Sequence, residues 1–406
     1  MTEDRPLLSL CIPTRNRAAF LYRLLHSVAS CPVFQNTRDV EIVVSDNASE
    51  DATRQIVDMF REKYGDKIVY SRNDEDLHDK NFEKALRLGS GRFLKLHNDT
   101  FWIADGQLDE LLADIKKYEK EHPILFFTNK KDNTETVCSS LDDFIDKSSF
   151  NMTWLGGFGI WKEDLDRLEN FGRHPEKHLT QVEVLLSEFS RKQKAVVFGK
   201  RYFHYQYLWN KPKGDIATVF GKNYADILNE YREKRSLSES VFKTERKRVL
   251  NGYILPFSFS LELAGEPDGL VRRLLPYYGK EPYFYAAFCS AFSRYFYKKT
   301  KQRVKKLFLG DDTLFKKEWK KFNKFSLTVP VKVDCPNCVY VGKNSSGDLI
   351  VNGEQEERDT LIIGENVKIG HDVRFVFNET GNLIFVKDGT SVPDGTVFYP
   401  DKNPVG

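Results

Sequence analysis

Over roughly the first 200 residues, short apolar runs alternate with stretches of helical spacing, and this alternation restricts the fold more than any other feature. Leu7–Pro13 (LLSLCIP) is an uninterrupted apolar run suited to a strand buried on both faces. Arg17–Ser30 then places Phe20, Leu21, Leu24, Leu25 and Val28 at helical intervals. Val40–Asp46 (VEIVVSD) reads as a second strand, and Asn47–Asp51 supplies turn and cap residues before the helical pattern of Ala52–Lys63. Lys67–Tyr70 is a third strand, Asp79–Leu88 a helix, Arg92–His97 a fourth strand, Gly106–Glu121 a helix and Ile124–Thr128 a fifth strand. A β–α rhythm of this kind predicts a doubly wound, mostly parallel sheet.

After Asn151 the rhythm weakens. Thr153–Lys162 (TWLGGFGIWK) is rich in Gly and Trp and unlike an ordinary core strand. His178–Ser190 reads as a helix, and Ala195–Gly199 as a short strand running into Tyr202–Tyr207. From Tyr224 to Phe325 the pattern is mainly helical. Near the end, LIIGENVKIGHDVRF and NLIFVKDGTSVPDGTVF space aliphatic residues about six apart with Gly or Asp between. That spacing fits a β-solenoid of the hexapeptide type, with a small β-sandwich as the competing reading. Three parts are expected: an α/β domain over 1–215, a helical basic and aromatic region over 216–328, and a β module over 329–406.

Composition narrows the class. Hydrophobic residues make up 40% and charged residues 30% of the 406, as in a globular protein able to bury more than one core. The net charge of +3 hides an asymmetry: Val271–Phe325 holds 15 Lys/Arg against 4 Asp/Glu, interleaved with 15 aromatics. The opening MTEDRPLLSLCIP is not expected to be a signal peptide, and no apolar run is long enough for a transmembrane helix. Six scattered cysteines, Cys11 and Cys289 among them in apolar runs, point to reduced, buried thiols in the cytoplasm. The lone Cys335–Cys338 pair lacks the partners of a zinc site and reads as an ordinary loop pair.

In an open α/β sheet, ligands bind beyond the carboxyl ends of the strands. Polar residues follow each of the first four strands: Pro13-Thr14-Arg15-Asn16-Arg17, Ser45-Asp46-Asn47-Ala48-Ser49, Ser71-Arg72-Asn73 and His97-Asn98-Asp99-Thr100. The stretches LSLCIPTRNRAAFLYRLLHSV, EIVVSDNASEDAT and GSGRFLKLHNDT together resemble the inverting family 2 glycosyltransferases, closest to the abequosyltransferase-like subset that builds bacterial surface polysaccharides. The resemblance covers residues 7–130 well and 150–210 loosely, and it implies a GT-A fold, a Rossmann-like doubly wound mixed sheet.

The resemblance also implies roles. Pro13, Thr14, Arg15 and Asp46 would hold the base of a nucleotide-sugar donor, UDP-linked by preference, although Asp46 and Ser49 would equally serve as helix caps. Arg72 would stand near the nucleotide, or would be a solvated surface residue. The family's metal-binding DxD-like motif is reduced here to His97-Asn98-Asp99. Asp99 matches the ligand of Mn²⁺ or Mg²⁺, and Asn98 the position that contacts ribose or metal. One carboxylate with diphosphate oxygens and water still suits such a hard ion. His204 is a further metal-ligand candidate, against the reading of a packed aromatic neighbour.

An inverting transfer needs a base for the acceptor hydroxyl. The family's Glu-Asp pair is missing from His178–Glu183 (HLTQVE). Glu183 is the first choice, with Asp166 and His178 as fallbacks; Gln181 stands in one register of the base and cannot take a proton. Trp154, Gly156 and Gly157 fall in the acceptor-side loop, where Trp154 would stack on a sugar or simply fill a Gly turn. The basic aromatic block suits the anionic face of the cell membrane near a lipid-linked acceptor, or a set of ordinary solvated helices; nucleic acid is not expected. A homo-oligomer is the expected assembly, a trimer by analogy with hexapeptide-type solenoids. An inactive carbohydrate-binding scaffold of the same fold is the rival function. A nucleotidyltransferase is disfavoured because PTRNRAAF lacks a Gly-rich triphosphate loop.

Overall fold

The computed structural model describes residues 5–206, 215–256, 267–309, 338–347, 349–352, 358–377 and 383–400. Its centre is a five-stranded sheet. Strand β1 (Leu8–Thr14) lies between β2 (Val40–Asp46) and β4 (Phe93–Leu96), with β3 (Ile68–Arg72) outside β2. These four run parallel, in a register that sets Leu8 beside Val40 and Phe93 and Thr14 beside Asp46. Every residue of β2 is buried, as expected for a strand with helices on both faces.

Period-two alternation assigns the side chains to two layers. Leu8, Leu10 and Ile12 of β1 and Val40, Ile42 and Val44 of β2 pack against helix α1 (Ala18–Ala29), the helix Thr53–Tyr64 and the helix Gln107–Lys117. Cys11, Val43, Leu94 and Leu96 face the other way, into a core shared with Lys80–Leu88, Thr180–Lys192 and the helices between Ile216 and Ala291. The helical region therefore shares one apolar core with the sheet.

Several elements depart from the sequence expectation. The Gly- and Trp-rich stretch contains a buried strand, β8 (Gly159–Trp161), which pairs antiparallel with β4 and makes the sheet mixed. A Cβ on Gly159 would meet the Phe93 ring at 2.3 Å, so the bare glycine is what lets β8 lie beside that aromatic. The fifth expected strand, β6 (Ile124–Phe127), belongs to a second sheet with β7 (Glu135–Cys138) and β9 (Ala195–Phe198). Strands β5 (Phe101–Ile103) and β10 (Phe203–Tyr205), each three residues long, form a separate antiparallel ribbon. They are too short to show a period in sequence.

The last part is a solenoid, as one of the two readings held. Strands β11 (Val339–Val341), β13 (Thr360–Ile363) and β16 (Leu383–Val386) stack in parallel. So do β12 (Ile350–Asn352), β15 (Arg374–Val376) and β18 (Val397–Phe398), and the pair β14 (Lys368–Ile369) and β17 (Ser391–Val392). Three parallel ladders are incompatible with a sandwich of antiparallel sheets. The six-residue spacing is visible at the corners: Gly364 sits over Asp388 and Gly370 over Asp394, each Asp accepting a backbone N–H from the coil before it at 2.7 Å. The solenoid has its own apolar interior, and its outward Tyr340 and Phe385 close on Tyr22 of α1 at 5.1 and 5.7 Å between ring centres.

Among the described residues no helix is long and apolar enough to cross a membrane. The basic aromatic block is helical up to Leu309, and residues 310–325 lie outside the described ones. Its aromatics divide: Tyr278 and Phe284 are buried, whereas Tyr285, Phe296 and Tyr297 are exposed. The cysteine expectation needs two corrections, because Cys289 is exposed and Cys338 is disulfide-bonded. An apolar run on a half-exposed helix does not by itself bury its cysteine.

Gly159→Ala is expected to lower stability by about 1–3 kcal/mol through overpacking against Phe93. The midpoint of urea unfolding measures this, and an unchanged midpoint means that the Phe93 ring has room to move.

Candidate active site

Because β1 is central, the loops after β1, β2 and β4 emerge side by side, and hydrogen bonds lace them together. The Asn47 N–H donates to Thr14 O (2.9 Å), the His97 N–H to Cys11 O (2.8 Å) and the Asn73 N–H to Asp46 O (2.8 Å). Asn16, in the left-handed region at φ 50°, donates its backbone N–H to Ser49 Oγ at 2.9 Å and accepts the Glu50 N–H on its Oδ1 at 2.8 Å. Asn tolerates this conformation better than most residues.

Asp99 lies at the meeting point. Its carboxylate is 2% exposed. Thr14 Oγ1 donates to one oxygen at 2.9 Å and the Arg17 guanidinium to the other at 3.0 Å. Asp99 in turn raises the pKa of Arg17, with a smaller contribution from Tyr205. Asp46 is fully buried; it accepts the Ser49 N–H at 2.9 Å and the Tyr70 hydroxyl at 2.8 Å, and Arg72 stands 3.9 Å away. Asp46 therefore closes the turn after β2 instead of capping the next helix, which begins at Thr53, and a cation stands beside the same carboxylate. Burial and the hydrogen bond to Asp46 push the Tyr70 phenol up, keeping it a donor. Arg72 also donates to Ser49 O at 3.0 Å. Pro13 is half-buried at the end of β1, and Arg15 is exposed and ion-paired with Asp76.

The Trp154–Gly157 loop is clamped to the end of β4. Asn98 Oδ1 accepts the Gly156 N–H at 3.1 Å, and Lys95 Nζ donates to Gly156 O. The Trp154 ring folds over Gly156, where a Cβ would meet it at 2.3 Å, and a Cβ on Gly157 would meet Phe126 at 2.8 Å. Trp154 and Tyr205 both pack on Phe101, at 5.1 and 5.2 Å between ring centres, giving an aromatic face two residues past Asp99.

Other sequence candidates stand apart. His204 stacks on Trp102 at 4.7 Å; its neighbour Tyr205 is the residue that reaches Arg17, so alternation along β10 turns His204 to the other face of the ribbon from Asp99. The geometry therefore removes His204 from the metal position. Asp166 is exposed and pairs with Lys162 at 3.3 Å, outside the cleft. Glu183 is buried; one oxygen accepts the backbone N–H groups of Arg173 (2.7 Å) and His174 (2.9 Å), and the other is enclosed without a hydrogen-bond partner. It holds a loop rather than facing an acceptor. Gln181 donates to Thr153 O at 2.9 Å. His178 is exposed, and its Nδ1 is 2.8 Å from Asp79 at the start of the helix Lys80–Leu88.

Sequence reasoning missed Lys95 altogether and gave His97, named only as part of the loop motif, no role of its own. Lys95 is fully buried at a core position of β4, between the Phe127 and Phe203 rings, and burial lowers its pKa to about 7. His97 is fully buried, hydrogen-bonded to Phe101 O at 3.1 Å, and burial with the nearby Lys95 lowers its pKa to about 3. The signal for Lys95 was its place in FLKL, where alternation points it with Phe93.

A Rossmann-like mixed sheet with acidic and polar loops converging at the carboxyl edge of β1, β2 and β4 defines the GT-A class. Comparison with known proteins agrees. Residues 9–150 match the model of glycosyl transferase family 2. The chain is 30% identical over 285 residues to GalNAc(5)-diNAcBac-PP-undecaprenol beta-1,3-glucosyltransferase of Campylobacter jejuni, covering 66% of this chain and 87% of that protein. It is 32% identical over 165 residues to abequosyltransferase RfbV of Salmonella typhimurium, covering 40% of this chain but only 46% of that relative. S. aureus TarS 1-349 aligns over 70% of this chain and 80% of its own, with a TM-score of 0.45 at 17% identity. The chain belongs to glycosyltransferase family 2.

His97 and Lys95 each contribute to the pH dependence of stability. Below the ordinary value of 6.5 the unfolded chain protonates His97, while the folded chain resists to about 3, so stability falls as pH drops through that window. Between about 7 and 10.5 the unfolded chain keeps the Lys95 proton that the folded chain has released, so stability rises with pH. Urea unfolding at acid, neutral and alkaline pH is expected to show the acid slope flattened in His97→Gln and the alkaline slope flattened in Lys95→Met. Unchanged slopes would place both groups in water.

Proposed function

We propose that this chain transfers a sugar, with inversion, from a nucleoside diphosphate sugar to a glycan or lipid-linked acceptor in the synthesis of a bacterial surface polysaccharide. UDP is the favoured carrier. The observation that carries the reading is the Thr14–Asp99–Arg17 constellation at the tips of β1 and β4, one strand from Asp46. The lipid-linked acceptor is supported by the name of the Campylobacter relative, which specifies an undecaprenol-borne glycan.

In this reading the base and ribose lie against Pro13, Thr14, Arg15, Asp46, Arg72 and Asn98, with Asp46 accepting from a base N–H. Arg17 offers its guanidinium to the diphosphate. Among the described residues no three His, Cys, Asp or Glu side chains form a metal cluster, so Asp99 alone would hold Mn²⁺ or Mg²⁺ together with substrate oxygens. That donor set fits, since such ions are commonly bound through one or two carboxylates plus phosphates. The ion would neutralise charge developing on the leaving diphosphate. The Phe101–Trp154–Tyr205 face receives a sugar ring, with Gly156 and Gly157 making room for the Trp154 and Phe126 rings rather than for the sugar itself. His178, oriented by Asp79, replaces Glu183 as the base for the acceptor hydroxyl, because Glu183 is already committed to two backbone donors.

The division into 1–215, 216–328 and 329–406 follows the same reading, with the last part serving oligomerisation or glycan contact. The exposed Tyr285 and Phe296, three helical turns apart on Pro282–Leu309, would rest on the cytoplasmic face of the membrane.

Thermal melting with UDP-, CDP- and GDP-sugars plus Mn²⁺ tests donor binding, since a ligand of the native state raises the melting temperature. A rise with one nucleotide is expected. If none raises it, the inactive-scaffold reading takes over. Asp99→Asn is expected to lower kcat by about 100-fold or more, and His178→Gln by about 100-fold with donor KM little changed. Full turnover in either variant removes that residue's role.

A further inference from the structure

A cavity of about 320 Å³ lies where α1 and β5 meet the solenoid. Its size falls within the range of small-ligand sites. Arg23 of α1, Trp102 and Asp105 on the β5 side, and Tyr340, Lys343 and Glu365 of the solenoid line it. This cavity is separate from the donor cleft: Trp102 and His204 occupy the face of the β5–β10 ribbon opposite Tyr205.

The charged groups on its wall are unusual in their lack of mutual engagement. Two cations and two carboxylates share the lining, yet no side-chain hydrogen bond or ion pair with another described residue engages Arg23, Lys343, Asp105 or Glu365. Arg23 is the telling one. It is half-buried, its guanidinium lies over the Trp102 ring at 4.9 Å, and burial lowers its pKa. A guanidinium that faces a cavity with no protein acceptor leaves its donors to water or to a ligand. Its planar fork matches a carboxylate or phosphate in two-point geometry. Carboxylates, in turn, accept well from hydroxyls.

We propose that this cavity binds one acidic monosaccharide unit, a uronic acid or a sugar phosphate, with its acid group on Arg23 and Lys343 and its hydroxyls on Asp105 and Glu365. Both faces of Trp102 are already covered, by Arg23 and His204, so the ring braces the guanidinium and is closed to a stacked nucleobase. A polyanion is disfavoured by the two carboxylates on the same wall. The site joins the solenoid to the sheet domain at a point three residues past Asp99, and it does not depend on which nucleotide the donor cleft takes.

Isothermal titration of the full chain with glucuronate, glucose 1-phosphate, glucose and inorganic phosphate tests this. One of the two acidic sugars is expected to bind at least about tenfold more tightly than glucose and than phosphate. Which of them binds tells a carboxylate from a phosphate ligand. Arg23→Gln should abolish that binding, and Lys343→Ala, at an exposed position, should weaken it several-fold without moving the melting temperature. If Arg23→Gln does not fold, the Lys343→Ala comparison decides. Equal binding of glucose, no heat with either acidic sugar, or unchanged affinity in Lys343→Ala overturns the proposal. UDP titrated into the same proteins reports on the donor cleft separately.

Discussion

The architecture depends on β1 being hydrogen-bonded along both edges. A strand paired in parallel with β2 on one side and β4 on the other must deliver its carboxyl end between theirs. Thr14 is thereby held next to Asp46 and within 2.9 Å of Asp99, although 85 residues separate it from the latter. The cost of ordering these polar tips is offset by the apolar layers behind them, where β1 and β2 contribute alternate residues to two cores. Burial of an Asp such as Asp46 is tolerable only because Ser49 and Tyr70 satisfy it.

The short β5–β10 ribbon then sorts side chains into two environments. Phe101 and Tyr205 turn toward Arg17 and Trp154, while Trp102 and His204 turn toward α1 and the solenoid. A shift of one residue in this pairing would exchange the two sets. Lys95 and His97, buried beneath the ribbon against Phe203, hold the loop carrying Trp154 and the turn carrying Asp99 from below. Each is a buried polar group made tolerable by a backbone carbonyl rather than by an opposite charge.

Much of the sheet could be read from the chain because β1 and β2 are buried on both faces and so appear as unbroken apolar text. The polar residues following them were equally plain, and Thr14 and Asp99 do meet. Strand β8 was hidden because its essential residue, Gly159, carries no hydrophobic signal at all. The direction of His204 could not be known before β10 was paired, since alternation assigns faces only once a register exists. Glu183 was chosen because the family resemblance puts the base at the start of this helix; its capture by the Arg173 and His174 amides is a tertiary event without a local signature. The solenoid was half legible: glycine and aspartate recur at corner spacing, but only the parallel ladders separate a coil from a sandwich.

The coil is open to extension in a way the sheet is not. The coils stack strand on strand in parallel, and the two outermost described ones repeat a Gly-over-Asp corner, so the length of this part can change by whole turns without altering Tyr340 and Phe385 at the seam with Tyr22. Every added turn would carry the far tip about 4.8 Å further, the spacing of neighbouring strands. The number of turns thus works as a ruler, setting how far the outer end of this part stands from its seam with the sheet domain.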